Sequence, residues 1–461
     1  MKIGIVILSS FVNVLLAAAN NTNVVFLNHT ETWTQPQQAT KKTTPINVDT
    51  NTKEMLKLGL LDGTLKIDKC IYSQNSLDPN FDHNVIISPI SIAAATSLLL
   101  LAAAGDTKTE LGILFGIDGN TFVNSIEKNE NLFRMLGLLL DKFQANASNA
   151  LGTTQVNLAK AIFVQEGYNI TSNYKTVVKE LLKSELITVD FMNNGYITQQ
   201  KINHWVSSQT RGKINDIMPG APTPDTKTVI VSALYFSGEW ETPFFVNYTR
   251  VKPFFAGQSA PGRKLNRQSK DNIYVPMMVG SSEVLYHKND ELGFKAIGLP
   301  YKGRKVYMYY VLPNSQITLR EIIDKMNGNA LRNISRNTVS SEFIYFVPKM
   351  TLKSFTNLSP VMQKLGVHKV FDPSKADLSN LANDPGAHVD DVLHKVEIVV
   401  DEIGTVASAA TVVTISRGGQ PTFNVNKPFL FFIHHIDSDT IILWGTVYKP
   451  IPHTTTPPPS S

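Results

Sequence analysis

Cysteine is almost absent from this chain. Cys70 is the only one among 461 residues, so no intrachain disulfide can form. A fold without such staples must rest on a large apolar core, and the chain is long enough to build one. Cys70 lies among Leu65, Ile67 and Ile71, which reads as a buried helix position; pairing with another chain through an exposed thiol is the minority reading. Short catalytic motifs are missing too. There is no G-x-S-x-G, no H-E-x-x-H, no phosphate-binding glycine loop and no C-x-x-C. The histidines are scattered, and the neighbours His434 and His435 fall in a strand-like segment, where they face opposite ways and cannot share one metal. Enzymatic chemistry, a cofactor and a metal are therefore not expected.

Long apolar runs are absent as well. The longest N-terminal one, Ile3 to Leu16, is too short to span a membrane. It follows Lys2 and precedes Ala17-Ala18-Ala19, the three-part form of a secretory signal cleaved before Asn20. Residues 1–19 are thus expected to be a signal peptide, and the mature protein to be extracellular. Sequons at Asn20, Asn28, Asn146, Asn169, Asn247, Asn333 and Asn357 agree with a secreted glycoprotein. Charge of either sign is modest, with a net +5 that is mostly interleaved. The one basic stretch, Arg250, Lys252, Arg263, Lys264, Arg267 and Lys270, is spread too thinly to count as a dense patch. A solvated loop is the favoured reading; polyanion binding stays open but unsupported, and no nucleic-acid partner is expected.

What is present is a mixed pattern without internal repeats. Residues 20–54 read as a flexible extension and 451–461 as a disordered Thr/Pro/Ser tail. Between them, 55–450 reads as one large domain. Met55 to Tyr72 has helical periodicity. Ser88 caps a helix that opens on Pro89, and the following Ile90 to Ala104 is apolar nearly all round, so it belongs in a core. Asn173 to Ser184, Ile197 to Thr210 and Leu358 to Leu365 read as further helices. Strands are predicted over Gln155 to Gln165, Thr228 to Phe236, Val306 to Leu312, Glu342 to Met350 and Val396 to Val400. Phe429 to Ile436 and Thr440 to Val447 should form a buried hairpin. Helices mostly first and strands mostly last predict an α+β fold with large, mostly antiparallel sheets.

The most informative stretch runs from Glu402 to Phe429. Thr405 to Ile415 carries no charge, proline or large aromatic, and small and β-branched residues suit a crowded sheet. As a strand it would place Thr405, Ala407, Ala409, Thr411, Val413 and Ile415 on one face. Arg417 then sits among Ser, Gly, Gln and Pro, the composition of a protease-accessible loop. A segment ready to enter a sheet is joined to one ready to be cut after arginine.

That junction resembles the reactive loop of the serpins, the serine protease inhibitors, and the likeness extends over about 55–450. Asn84-Val85-Ile86-Ile87-Ser88-Pro89-Ile90-Ser91-Ile92, Ile202-Asn203-His204-Trp205-Val206, Val231-Ser232-Ala233-Leu234-Tyr235-Phe236 with Gly238-Glu239-Trp240-Glu241, Leu299-Pro300-Tyr301, Val347-Pro348-Lys349, Ala376-Asp377-Leu378-Ser379, His394-Lys395 and Asn426-Lys427-Pro428-Phe429 follow in family order. The resemblance implies three mostly antiparallel β-sheets, a helical bundle and an exposed reactive loop. It implies a monomer that traps a trypsin-like serine protease in a covalent complex, by inserting its cleaved loop into the main sheet. A non-inhibitory carrier, storage protein or chaperone is the alternative. The hinge maps onto Glu402, Gly404, Thr405, Ala407, Ser408, Ala409, Ala410 and Thr411. Ser88, Ser91, Ser232 and His394 match the shutter beneath the sheet, and Trp240 the breach where the loop enters. Ser232 departs from the family's usual asparagine; a serine can still bond the imidazole. Counting forward from Glu402 puts Gly418 before the scissile bond, and counting back from Pro428-Phe429 puts Arg417 there. Arginine suits the acidic pocket of trypsin-like enzymes, which favours the bond Arg417-Gly418.

Overall fold

The computed structural model describes residues 50–76, 84–116, 133–140, 154–256, 272–403 and 419–450. The signal peptide, most of the N-terminal extension, the Thr/Pro/Ser tail, Asn20, Asn28, Asn146, Arg263, Lys264, Arg267, Lys270 and the loop from Gly404 to Gly418 lie outside the described residues.

The strands in chain order are β1 (Val85–Ile87), β2 (Gln155–Gln165), β3 (Glu185–Val189), β4 (Thr228–Ser237), β5 (Arg250–Phe254), β6 (Ile273–Asn289), β7 (Phe294–Pro300), β8 (Val306–Pro313), β9 (Val339–Pro348), β10 (Met350–Asn357), β11 (Asp391–Val400), β12 (Thr422–Asn424), β13 (Phe429–His435) and β14 (Thr440–Val447). Five of them form one sheet in the order β10-β11-β4-β2-β3. The other nine form a continuous ladder with two lobes. The long β6 joins the lobes: Ile273 to Met277 pair with β5, Met277 to Tyr286 pair with β9, and the last residues, Leu285 to Asn289, pair with β7. The expected three sheets therefore appear as two ladders, because one strand runs through both lobes of the larger.

The helices include α1 (Thr50–Asn75), α2 (Pro89–Ala102), α3 (Gly105–Gly112), α4 (133–140), α5 (Ser172–Glu180) and α6 (Gly195–Gln209). Three more follow: α7 (Leu319–Lys325), α8 (Gly328–Arg336) and α9 (Ser359–Lys364). The all-round apolarity of α2 has a plain cause. The helix lies between β4 and β2 of one sheet and β14 of the other, so every residue except Leu101 is buried. Ser88 caps it as expected, its hydroxyl accepting from the Ser91 N–H, with Pro89 in the first turn.

β4 is buried along its whole length. Val229, Val231, Ala233 and Tyr235 pack with Ile202 and Val206 of α6. Ile230, Leu234 and Phe236 belong instead to the clusters that contain the α2 side chains. The strand's two-residue alternation thus divides one apolar run between two cores.

Some boundaries differ from expectation. The helix expected over 173–184 stops at Glu180, because the chain turns and Lys183 takes a positive φ of 48°. β10 was not expected. It is an edge strand with mostly polar or half-exposed side chains, so its hydrophobic signal is weak. Cys70 does lie on α1, but it is half-buried rather than buried, with Sγ 3.9 Å from the Val361 carbonyl oxygen.

Candidate functional site

The site begins with a parallel strand pair. β11 and β4 lie side by side from Asp391↔Val229 to Ile398↔Phe236. The chain leaves β11 at Val400 and heads into the 404–418 segment. A strand folding back after β11 would run antiparallel to it, and so antiparallel to β4 as well. The seam between the two is thus a place where the next segment of chain could pair on both sides.

A buried polar chain holds that seam. His394 and Ser232 are direct partners across it. The Ser88 N–H lies 3.1 Å from His394 Nε2, and a backbone N–H can only donate. Nε2 is therefore bare, and the neutral ring carries its proton on Nδ1. Nδ1–H donates to Ser232 Oγ at 3.1 Å, and the Ser232 hydroxyl meets Ser91 Oγ at 2.6 Å. Ser88 Oγ donates to the Ile442 carbonyl oxygen at 2.8 Å. The chain of bonds runs from β14 through the cap of α2 to β4 and β11. All four side chains are at most 1% exposed. Protonating the ring would aim a second N–H at the Ser88 N–H. Burial pushes the His394 pKa down to about 4, against the opposing contact with Ser232. Ser232 thus replaces the expected asparagine with a direct bond to the ring.

At the end of the seam from which the chain departs, Trp240 stacks on Tyr301, with centroids 4.4 Å apart and planes 12° apart. Its Nε1–H donates to the Asp401 carbonyl oxygen at 2.8 Å. Next in the chain, Glu402 is anchored. Oε2 accepts from Lys349 Nζ at 2.8 Å, Oε1 accepts from Thr249 Oγ1 at 2.8 Å, and the Glu402 carbonyl accepts from the Phe244 N–H at 2.8 Å. Burial raises the Glu402 carboxyl, but the bonds from Lys349 and Thr249 outweigh it, so its pKa lies below the ordinary value. The structure therefore brings together Ser88, Ser91, Ser232 and His394 at the seam, and Trp240 and Glu402 at its head. Thr249 was not singled out from the sequence, and Lys349 entered only as the end of the Val347-Pro348-Lys349 motif, not as a partner of Glu402. The only available signal was the acidic pair Asp401-Glu402 beside an uncharged run.

Of the described sequons, Asn169, Asn247 and Asn333 are exposed. Asn357 is half-buried, its amide donating to Asp391 Oδ1 at 2.5 Å and its Oδ1 accepting from the Ser359 N–H at 3.0 Å. Among the described residues, no helix is long and apolar enough to cross a membrane.

Residues 71–450 match the sequence profile of a family described as Serpin (serine protease inhibitor). Serine protease inhibitor 42Dd of Drosophila melanogaster is 31% identical over 375 residues, covering 80% of this chain and 92% of that protein. Serpin B13 of Homo sapiens is 28% identical over 379 residues, covering 80% and 94%. The crystal structure of human thyroxine-binding globulin is similar in fold, with a TM-score of 0.74 at 22% identity, covering 87% of this chain and 100% of that one.

Proposed function

The chain belongs to the serpin (serine protease inhibitor) family, and on that premise we propose that it is a secreted, inhibitory member that traps a trypsin-like serine protease. The observation that carries this reading is the β11–β4 seam, closed by one small polar latch and adjoining the point where the chain leaves β11. Residues Gly404 to Arg417, extended at ~3.3 Å per residue, reach about 46 Å, whereas β11 spans about 33 Å. The segment is long enough to run the whole seam and carry Arg417 beyond its far end.

The chemistry follows. The serine hydroxyl oxygen of the protease attacks the Arg417 carbonyl carbon, the bond to the Gly418 nitrogen breaks, and that nitrogen leaves with a proton. The product is an ester between protease and inhibitor. Water would hydrolyse that ester. Insertion of 404–417 between β4 and β11 must come first, and the family's free energy for it lies in a kinetically trapped native state. Thr405 and the small residues after it bury without leaving an unpaired charge, which favours insertion. Secretion is supported by the signal-like N-terminus and the exposed sequons Asn169, Asn247 and Asn333.

The alternative reading, a non-inhibitory carrier, storage protein or chaperone, draws support from the fold shared with thyroxine-binding globulin. One experiment separates the two. The mature protein is incubated with trypsin, resolved by denaturing electrophoresis, and the released C-terminal peptide is sequenced. A denaturant-stable complex with a peptide beginning at Gly418 is the expected result. Cleavage without a complex favours the alternative, and a peptide beginning elsewhere moves the scissile bond.

A further inference from the structure

A cleft of about 530 Å³ lies at the end of the β10–β11 pair opposite to the loop's departure. Strand register builds its floor. Phe355 pairs with Lys395 and Asn357 with Leu393 across β10 and β11. Directly opposed residues share a face. Leu393 packs with Ile202, Val206 and Met218, so this is the face that α6 covers. Beyond α6 the chain from Met218 to Thr226 forms the facing wall. That wall is held in place. Asn203 Oδ1 accepts from the Ile217 and Met218 N–H groups at 2.9 Å each, and the Thr226 N–H donates to the Thr223 carbonyl oxygen at 3.0 Å. Pro219 and Pro222 stiffen the path between them. The cleft is formed before anything enters it.

Its charge is one-sided. No lysine or arginine is among the described residues that line it, whereas Asp390 and Asp391 both do. Asp390 is well partnered: Oδ2 accepts from the Lys227 and Thr228 N–H groups at 2.7 and 3.0 Å, and Oδ1 lies 3.3 Å from His388 Nε2. Asp391 differs. Its Oδ1 accepts from the Asn357 amide at 2.5 Å, and among the described residues it has no ion-pair partner. Burial pushes its carboxyl above the ordinary pKa against the Asn357 bond, and Asp390 beside it adds to the rise. Phe355, 44% exposed, and Phe371 add aromatic surface.

We propose that this cleft binds a small organic cation, with its ammonium group on Asp391 and its aromatic body against Phe355. A preformed cavity with apolar walls and one unmatched carboxylate suits such a ligand. A bare metal ion does not fit, because among the described residues no three acid, histidine or cysteine side chains are grouped to hold one. Asp391 opens β11 and pairs with Val229 of β4, so the occupant sits at the foot of the seam. The site stands whether or not the chain inhibits a protease.

The test titrates the mature protein by calorimetry with phenethylamine as the probe, and with 2-phenylethanol and 3-phenylpropionate as its neutral and anionic counterparts. It compares the unaltered chain with Asp391→Asn, Phe355→Ala and a control, Asp290→Asn. Asp290 is an exposed acid in the turn between β6 and β7, away from the cleft. Thermal unfolding checks that each variant is folded. The proposal expects one phenethylamine per chain with a dissociation constant on the order of 1 mM. It expects binding about tenfold weaker in Asp391→Asn, several-fold weaker in Phe355→Ala and unchanged in the control. The neutral and anionic counterparts should bind at least tenfold more weakly than the amine. No binding of phenethylamine to the unaltered chain overturns the proposal. Equal binding of the neutral counterpart, or an equal loss in the control, also overturns it. Mass spectrometry of the Asn357 peptide adds a last check: a glycan there would fill the cleft, and finding one on most chains overturns the site.

Discussion

Ser232→Ala tests the latch most directly. The substitution removes the hydroxyl that accepts from His394 Nδ1–H at 3.1 Å and meets Ser91 Oγ at 2.6 Å. The site is fully buried, so no bulk water replaces the lost partner. Leaving a buried N–H unpaired costs about 1–3 kcal/mol. Which state bears that cost decides the outcome. With a new strand between them, β4 and β11 would stand two strand spacings apart, roughly 9.6 Å, and His394 could no longer bond Ser232. The penalty therefore falls on the uninserted form alone. At about 2 kcal/mol it favours spontaneous insertion by roughly 30-fold. The assay is loss of trypsin-inhibiting capacity on standing without protease, followed together with native electrophoresis and the thermal midpoint. The variant should lose capacity several-fold to about 30-fold faster and unfold a few degrees lower. If Ser232→Ala keeps its capacity as long as the unaltered chain and melts at the same temperature, the latch argument is wrong.

Other outcomes follow from the same geometry. Glu402→Gln combined with Lys349→Met in a double-mutant cycle should give a coupling of about 1–3 kcal/mol in unfolding, since the pair is largely buried but Lys349 remains 20% exposed; a coupling near zero would mean that the ion pair does not anchor the loop root. Thr405→Arg should turn the inhibitor into a substrate, because insertion would bury an unpaired charge; complexes formed at the original stoichiometry would refute the hinge assignment. The stability–pH curve combines two opposed groups. His394 has a folded pKa of about 4, below the unfolded value near 6.5, so the unfolded chain binds the proton first; the stability is present at neutral pH and falls by about 3 kcal/mol as pH drops from 6.5 to 4. Asp68 is raised by burial to about 6, despite bonds from Trp444 and Thr446, so its folded form binds the proton first and stability rises by about 3 kcal/mol as pH falls from 6 to 3.8. Asp68→Asn removes the second effect, and chemical denaturation should then show a steeper loss of stability on acidification than in the unaltered chain.

Local chemistry made part of this protein legible from the residues alone. Ser88-Pro89 announced a cap and a first turn, because both act within a few residues. The all-round apolarity of α2 announced burial, since no amphipathic surface helix could carry it. The uncharged run after Gly404 and the arginine at 417 suggest a loop fit to insert and to be cut, but that reading rests on composition alone and falls outside the described residues. Long-range pairing decided the rest. Glu402 finds Lys349 across 53 residues and Thr249 across 153, and Ser232 finds His394 across 162. No short window records such a meeting. The joining of two lobes by β6 is likewise a consequence of register and sheet order. Those are set only when distant strands compete for partners and the whole core closes, so the sequence named the pieces of the device and tertiary structure decided which of them touch.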